Sequence, residues 1–189
     1  MTVTDVNVVK SAIFERPDDA NKGTLGSLLC VCGSYGMAGA AVMSAKGALR
    51  TGIGLAKCAL PRSIYPIVAQ TILESVYYPL SENADGRISK VNVPFLVSES
   101  CKSSATLVGC GLGVCDNTLK IVFSLIENSA TPLVLDADAL NCVAKQPEIL
   151  LRKKAPIIIT PHPGEMSRLT GLATPLVNAE RERVALDFA

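Results

Sequence analysis

The sequence has no tryptophan and a single histidine, and aromatic residues make up only 4% of its 189 residues. Its 18 lysines and arginines are matched by 17 aspartates and glutamates, so the net charge at neutral pH is +1. Without a basic excess, and without aromatic side chains between basic ones, the chain lacks the electrostatic footprint of a nucleic-acid binder. We therefore expect no nucleic-acid partner.

Patterns for zinc binding, secretion and membrane insertion are also missing. None of the seven cysteines belongs to a C-x-x-C pair, and one histidine cannot complete a site of zinc-ligand spacing, so we predict no metal site of this kind. The cysteines lie mostly in apolar segments, where free thiols are common in a reducing compartment. With no signal-peptide pattern and no apolar run long enough to cross a bilayer, we predict a cytoplasmic protein without a membrane partner.

Short apolar segments alternate with segments of helical periodicity along the chain. The predicted strands lie at 28–32, 55–60, 75–80, 105–108, 132–135 and 156–159. The predicted helices lie at 38–49, 62–70 with an interruption at Pro66, 93–100, 116–128, 165–169, from a cap at Asn178 to the end, and near Thr4 or Asp5. This alternation predicts an α/β fold with a mostly parallel sheet and helices on both faces.

A glycine-rich turn joins the first strand to the first helix. Gly33, Gly36 and Gly39 remove three Cβ atoms there, so a ligand could approach the backbone amides and the positive end of the helix. Close packing of the helix on its sheet is the alternative explanation. The spacing G-x-x-G-x-x-G matches neither a Walker phosphate loop nor the dinucleotide fingerprint.

Further polar or glycine-rich loops follow later strands, at 109–113, 136–141 and 160–165. Ligands of parallel sheets bind beyond the carboxyl ends of the strands, so these loops together predict a small-molecule site. Asp136 is expected to contact a ligand, either a hydroxyl group or a magnesium ion. Asp138 is interpreted as the cap of a helix that begins at Ala139.

His162 lies between two prolines directly after the apolar run III and Thr160. Flanking prolines restrict the backbone, which suits a side chain that must meet a ligand, although a hydrogen-bonded loop histidine is an equal alternative. Glu165 follows at the start of a short helix and complements its dipole.

The loop GCGLG at 109–113 comes within one position of the dinucleotide fingerprint, and Asp136 ends the next predicted strand. An NAD-dependent oxidoreductase is therefore the main rival interpretation.

Five segments in a fixed order resemble the NAD(P)H-hydrate dehydratases over roughly residues 22–172. They are KGTLGSLLCVCGS, MAGAAVMSAKGALRTGIGL, VGCGLG, PLVLDADALN and IIITPHPGEMSRLTG. The resemblance implies a ribokinase-like three-layer α/β/α fold and a lyase of metabolite repair. Such an enzyme converts hydrated NADH or NADPH, abbreviated NAD(P)HX, back to NAD(P)H with ADP or ATP, and Mg²⁺ is a candidate companion of the nucleotide.

The resemblance also implies which residues bind the substrate. The family's substrate contacts match Ala40, Ala41, Gly109, Gly111 and His162. To these we add Gly39 and Asp136, because small side chains at 39–41 would let the substrate lie against the helix start, and Asp136 ends a neighbouring strand. Cys110 stands where the family usually has proline.

Family members continue with a nucleotide-binding loop and a G-T-G-D segment whose aspartate acts as the catalytic base. Neither occurs within residues 1–189, which we interpret as one ribokinase-like domain lacking its nucleotide-binding part. We therefore expect at most weak dinucleotide affinity and no turnover from this chain, and a homo-oligomer, as is common in the family. A ribokinase-like kinase of a small vitamin-precursor alcohol and a non-catalytic dinucleotide-binding fragment are the alternatives.

Overall fold

The computed structural model describes Asp18, Ala20 and residues 23–189, so the helix predicted near Thr4 or Asp5 lies outside the described residues. The strands are β1 (Ser27–Val31), β2 (Leu55–Pro61), β3 (Val76–Leu80), β4 (Ala105–Val108), β5 (Leu133–Leu135) and β6 (Ile157–Ile159). They form one sheet in the order β3-β2-β1-β4-β5-β6, and every pairing between neighbouring strands is parallel. The prediction of a parallel sheet is confirmed.

Helices cover both faces of this sheet. They are α1 (Ala38–Arg50), α2 (Tyr65–Thr71), α3 (Val93–Cys101), α4 (Asp116–Asn128), α5 (Asp138–Val143), α6 (Pro163–Thr170), α7 (Thr174–Ala179) and α8 (Arg181–Phe188), with 3₁₀ turns at Arg62–Ile64, Lys90–Asn92 and Pro147–Arg152. The smaller apolar core packs under α1 and α2, and the larger one packs under α3 to α8. The result is the predicted three-layer α/β/α arrangement.

Strand β1 shows why the apolar runs lack a polar alternation. Leu29 and Val31 point into the larger core, whereas Cys30 and the following Cys32 point into the smaller one. A strand covered on both faces needs apolar side chains at every position.

Two features read as helix signals in the sequence have a different role in the structure. Asn178 lies inside α7, and its Oδ1 accepts a hydrogen bond from Arg181 Nη2 at 2.6 Å, so the prediction that it caps the last helix is wrong. The chain breaks instead at Glu180, where φ is −128° and ψ is 38°. Pro66 lies in the first turn of α2, a position where its missing N–H is not needed, so it begins the helix rather than interrupting it.

A buried ion pair joins β2 to α3. Lys57 Nζ lies 2.7 Å from Glu99 Oε1 and 3.3 Å from Ser103 Oγ, and the Tyr78 hydroxyl donates to the same Glu99 oxygen at 3.1 Å. The hydrogen bond from Lys57 lowers the pKa of the Glu99 carboxyl, and this effect outweighs burial, which acts in the opposite direction. The pair lets a charged residue point from the sheet into the larger layer of helices.

Strand β6 is one edge of the sheet in the described residues. The side chain of Ile158 is 59% exposed there. Beside it lies an apolar groove of about 590 Å³, lined among others by Ile157, Met166, Val177 and Phe188. No helix among the described residues is long and apolar enough to span a bilayer.

Candidate functional site

The loops after β1 and β4 meet at the carboxyl edge of the sheet. The strand order runs from β1 outward to β3 and from β4 outward to β6, so the winding of the chain reverses between these two neighbours. Gly33 N donates to the carbonyl oxygen of Cys110 at 2.8 Å, and Ser34 Oγ donates to that of Gly111 at 2.8 Å. Such a reversal point is where parallel sheets bind ligands, and here two glycine-rich loops are held together over it.

Gly109 and Gly111 allow the second of these loops to touch two helices. Gly109 has φ +128°, and a Cβ atom there would lie 1.8 Å from the carbonyl oxygen of Asp136, just before α5. Gly111 has φ +69°, and its Cβ atom would lie 2.7 Å from Ala40 Cβ in the first turn of α1. Both predicted site glycines therefore have a packing role that no other residue type can fill.

The three small residues at the start of α1 differ in access. Gly39 is exposed, with no heavy atom within 4 Å of the position a Cβ atom would take, and Ala40 is half-buried against Gly111. Ala41 is only 3% exposed and packs in the smaller core, so its side chain is not available to a ligand. Met37 provides no side-chain cap to α1. The open part of the predicted surface is thus the first helical turn at Gly39 and Ala40.

Asp136 links the ends of three strands. Its Oδ1 accepts a hydrogen bond from Thr160 Oγ1 at 2.7 Å, and its Oδ2 accepts one from Cys110 Sγ at 3.3 Å. Hydrogen bonds from the Cys32 thiol and from Ser44 lower the pKa of the Cys110 thiol, against the effects of burial and of the Asp136 charge. The carboxylate that we predicted to contact a ligand therefore also ties the loops after β4, β5 and β6 together.

Asp138 is the first residue of α5 rather than its cap, so that prediction is wrong. The N-cap is Ala137, whose φ of +51° is unusual for a residue with a side chain. Asp138 Oδ2 instead accepts a hydrogen bond from Gly113 N at 2.8 Å, and its Oδ1 accepts one from Asn141 Nδ2 at 3.3 Å. The helix begins one residue earlier because this side chain binds the end of the GCGLG loop.

His162 is the N-cap of α6. Its Nδ1 accepts hydrogen bonds from Gly164 N at 3.0 Å and from Glu165 N at 3.4 Å. The Glu165 side chain contacts His162 in return. Its Oε2 accepts a hydrogen bond from His162 N at 2.9 Å, and its Oε1 lies 3.2 Å from His162 Nε2. Because Nδ1 accepts, the neutral ring carries its proton on Nε2.

The arrangement of His162 and Glu165 is a capping box in which histidine takes the place of serine or threonine. The H-x-x-E spacing of HPGE was the signal for it in the sequence. The side chain of His162 is nevertheless 62% exposed, so the ring is both a cap and accessible to a ligand.

A hairpin after β3, formed by residues 82–88, is the part of the site that the sequence did not reveal. The residues NADGR at 83–87 have the composition of a turn, and the structure places this turn over the two glycine-rich loops. Tyr35 N donates to the carbonyl oxygen of Gly86 at 2.9 Å, and Arg87 packs across Gly113. Only long-range packing brings these segments together, so no local sequence pattern could have indicated that the hairpin contacts the two loops.

A comparison with known protein families identifies the family of the chain. The family model described as NAD(P)H-hydrate dehydratase matches residues 28–189. The chain belongs to this family. The resemblance carried by the five sequence segments is thereby confirmed, and neither the oxidoreductase nor the vitamin-kinase interpretation is favoured.

Individual relatives agree with the family. A bifunctional NAD(P)H-hydrate repair enzyme of Thermofilum pendens is 37% identical over 174 residues, which are 92% of this chain and 33% of that protein. An ADP-dependent (S)-NAD(P)H-hydrate dehydratase of Neisseria meningitidis is 32% identical over 169 residues, 88% of this chain and 53% of that protein.

A solved structure gives the same fold. The ADP/ATP-dependent NAD(P)H-hydrate dehydratase of Bacillus subtilis, co-crystallised with ATP/Mg²⁺, superimposes with a TM-score of 0.76 at 27% identity. The match covers 97% of this chain and 61% of that one, and it confirms the ribokinase-like fold. The chain thus spans less than two thirds of each of these three proteins.

Proposed function

We propose that the protein acts in the ADP- or ATP-dependent dehydration of NAD(P)HX and that this chain supplies the dinucleotide-binding edge of the site. The observation that carries the proposal is the contact of the GCGLG loop with the first turn of α1, where Gly111 meets Ala40. Motifs separated by some 70 residues of chain, and matched to the family one by one, form one surface over the reversal point of the sheet.

The chemistry of this surface suits a large polar ligand. The first turn of α1 has no side-chain cap, so the amides of Ala38 and Gly39 can donate to phosphate or hydroxyl oxygens, whereas that of Ala40 already donates to the carbonyl oxygen of Met37. Gly39 leaves space for close approach at the same turn. On the far side of Asp136, the exposed imidazole of His162 offers a further polar contact. We propose that Gly39, Ala40, the amides of the GCGLG loop, Asp136 and His162 together bind NAD(P)HX.

A magnesium ion bound by protein side chains alone does not fit the described residues. Among the described residues, no group of three or more histidine, cysteine, aspartate or glutamate side chains is arranged so that it could hold a metal ion. The carboxylates of Asp136 and Asp138 are already engaged, with Thr160 and Cys110 and with Gly113 and Asn141. We assign no step to a metal held by this chain.

Two measurements test the proposal. Calorimetric titration of the 189-residue chain with freshly prepared NADHX and NADPHX should show binding. The full-length protein should in addition restore the absorbance of reduced nicotinamide when ADP or ATP is supplied. Absence of binding, together with phosphorylation of a vitamin-precursor alcohol or with hydride transfer to intact NAD, would overturn the proposal.

Cytoplasmic location and homo-oligomer formation remain predictions, as does the expectation that residues 1–189 are one domain. Fractionation of cells and light scattering of the purified protein would test the first two. Limited proteolysis of the full-length protein would test the third, since a domain boundary is cleaved before the folded units.

A further inference from the structure

The hairpin at residues 82–88 is closed by its own backbone. Glu82 and Ile88 form an antiparallel bridge, and Asn83 N donates to the carbonyl oxygen of Arg87 at 2.9 Å. The side-chain oxygen of Asn83 accepts from the amides of Asp85 at 3.1 Å and Arg87 at 2.9 Å. The position of Arg87 is therefore fixed before any ligand binds.

This hairpin reaches the reversal point from the distant edge of the sheet. It follows β3, and two strands, β2 and β1, lie between β3 and β4. Gly86 lies so close to Tyr35 that a Cβ atom on it would be 2.3 Å from Tyr35 Cβ. Gly113 lies so close to Arg87 that its Cβ atom would be 2.4 Å from Arg87 Nε. The hairpin thus lies against both glycine-rich loops, through Gly86 on Tyr35 and through Arg87 on Gly113.

Two side chains at this contact have unused binding capacity. Tyr35 is 75% exposed, which is unusual for a large aromatic residue beside a ligand-binding edge. Arg87 pairs loosely with Asp85, with Nη1 3.5 Å from Oδ2, and the Asp85 side chain is 67% exposed. A guanidinium group can form two parallel hydrogen bonds with a phosphate, so such a ligand would displace this weak partner.

The neighbouring Cys115 thiol is close enough to Arg87 to be affected by its charge. Cys115 is the N-cap of α4 and lies two residues after Gly113. Burial raises the pKa of this thiol, but hydrogen bonds from Thr118 and Asn117 and the charge of Arg87 outweigh burial and lower it overall. A negative group placed beside Arg87 is stabilised in the same way.

We propose that Arg87 binds a phosphate of the dinucleotide substrate and that Tyr35 stacks on one of its planar rings, so that the hairpin at 82–88 sets the affinity for phosphorylated ligands. This inference rests on the proposed function, because it extends the same surface beyond Gly39 and the GCGLG loop. A dinucleotide joins flat rings through a pyrophosphate, and an aromatic ring and a guanidinium group side by side match that chemistry.

The test measures dissociation constants of the full-length protein for three probes: NADPHX, ADP and hydrated nicotinamide riboside, which has no phosphate. Arg87→Gln should raise the Kd for NADPHX about 10-fold or more, whereas Arg87→Lys should retain part of the affinity. Tyr35→Ala should raise it about 5-fold or more, and Tyr35→Phe should leave it near the wild-type value. The Kd for the riboside should not change in the Arg87 variants.

Arg152→Gln is the matched control. Arg152 forms a surface ion pair with Glu127 at 3.0 Å, near the opposite end of α4. A 13-residue helix is about 20 Å long, so the control removes the same charge well away from the proposed contact. Thermal unfolding of each variant should match the wild type, because Arg87 and Tyr35 hold the hairpin through backbone hydrogen bonds that the substitutions retain.

The outcomes separate this inference from the proposed function. If the wild type binds NADPHX and Arg87→Gln binds it equally well, the inference is overturned while the proposed function stands. A loss of affinity for ADP alone would assign Arg87 to the co-substrate and would also overturn it. If the wild type binds neither NADPHX nor NADHX, the proposed function is wrong for this chain, and the inference, which depends on it, is wrong as well.

Discussion

Replacement of His162 should affect folding and binding by separable amounts. Its Nδ1 accepts the amides of Gly164 and Glu165 in the first turn of α6. Removal of an N-cap side chain costs about 0.5–2 kcal/mol of stability. The contact between Nε2 and the Glu165 carboxylate, whose side chain is only 7% exposed, is lost in the same substitution. For His162→Ala we expect the free energy of unfolding to fall by about 1–2 kcal/mol.

His162→Asn distinguishes the two roles of the side chain. Asparagine is among the best N-cap residues, so this variant should recover most of the stability that alanine loses. It cannot replace the imidazole ring in a contact with the substrate. One lost hydrogen bond of about 0.5–1.5 kcal/mol corresponds to a Kd for NADPHX that is about 2- to 13-fold higher. We expect this increase in both variants.

Urea unfolding and calorimetric titration of the same three proteins provide the comparison. If His162→Ala unfolds at the same urea concentration as the wild type, the capping arrangement described here is refuted. If the Kd returns to the wild-type value in His162→Asn, the ring makes no contact with the substrate, and His162 serves only as the cap of α6.

Two further predictions concern stability. Gly109→Ala should prevent folding to a soluble protein, because its Cβ atom would meet the carbonyl oxygen of Asp136. Gly47→Ala, at an open position of α1, should instead raise the melting temperature and stabilise the protein by about 0.5–1 kcal/mol. Lys57→Met should destabilise by about 3 kcal/mol in neutral urea titrations, because it leaves the buried Glu99 carboxylate without its cation. The pKa of Glu99 is lowered in the folded state, so the ionised pair contributes its full stability above the usual carboxyl pKa near 4.5. As the pH falls through the folded-state pKa, this contribution is lost. The difference in stability between the wild type and Lys57→Met should therefore shrink. A deficit that is constant with pH would show that Lys57 acts through packing alone.

The sequence predicted the elements well where burial decides them. Helix α4 has the predicted bounds of Asp116–Asn128, and β4 has those of Ala105–Val108. Apolar runs bounded by glycine, proline or polar residues leave a strand covered on both faces little freedom in its position. The order of strands and the shared edge of their loops then follow from the right-handed connections.

Predictions from local sequence patterns were wrong where a side chain bonds to a residue that is distant in the chain. Asp138 had the residue type of an N-cap, but its carboxylate binds Gly113, 25 residues earlier in the chain. The turn at 83–87 was recognised from its composition, yet its place over Tyr35 depends on packing across three strands. A pattern in a short window contains no information on such contacts, so these parts of the candidate site became visible only in three dimensions.

The site also shows why packing and ligand binding were hard to tell apart in the glycine-rich loops. Gly109 and Gly111 lack side chains because Asp136 and Ala40 come too close, and this same closeness places the amides of the loop beside the open turn of α1. Packing creates the surface that a ligand would use, so the two explanations are not exclusive. Substitution of these glycines would therefore remove the fold and the site together. Arg87 touches the surface without capping a helix, so it is a position at which binding can be changed separately from folding, whereas at His162 this separation requires asparagine, which keeps the cap.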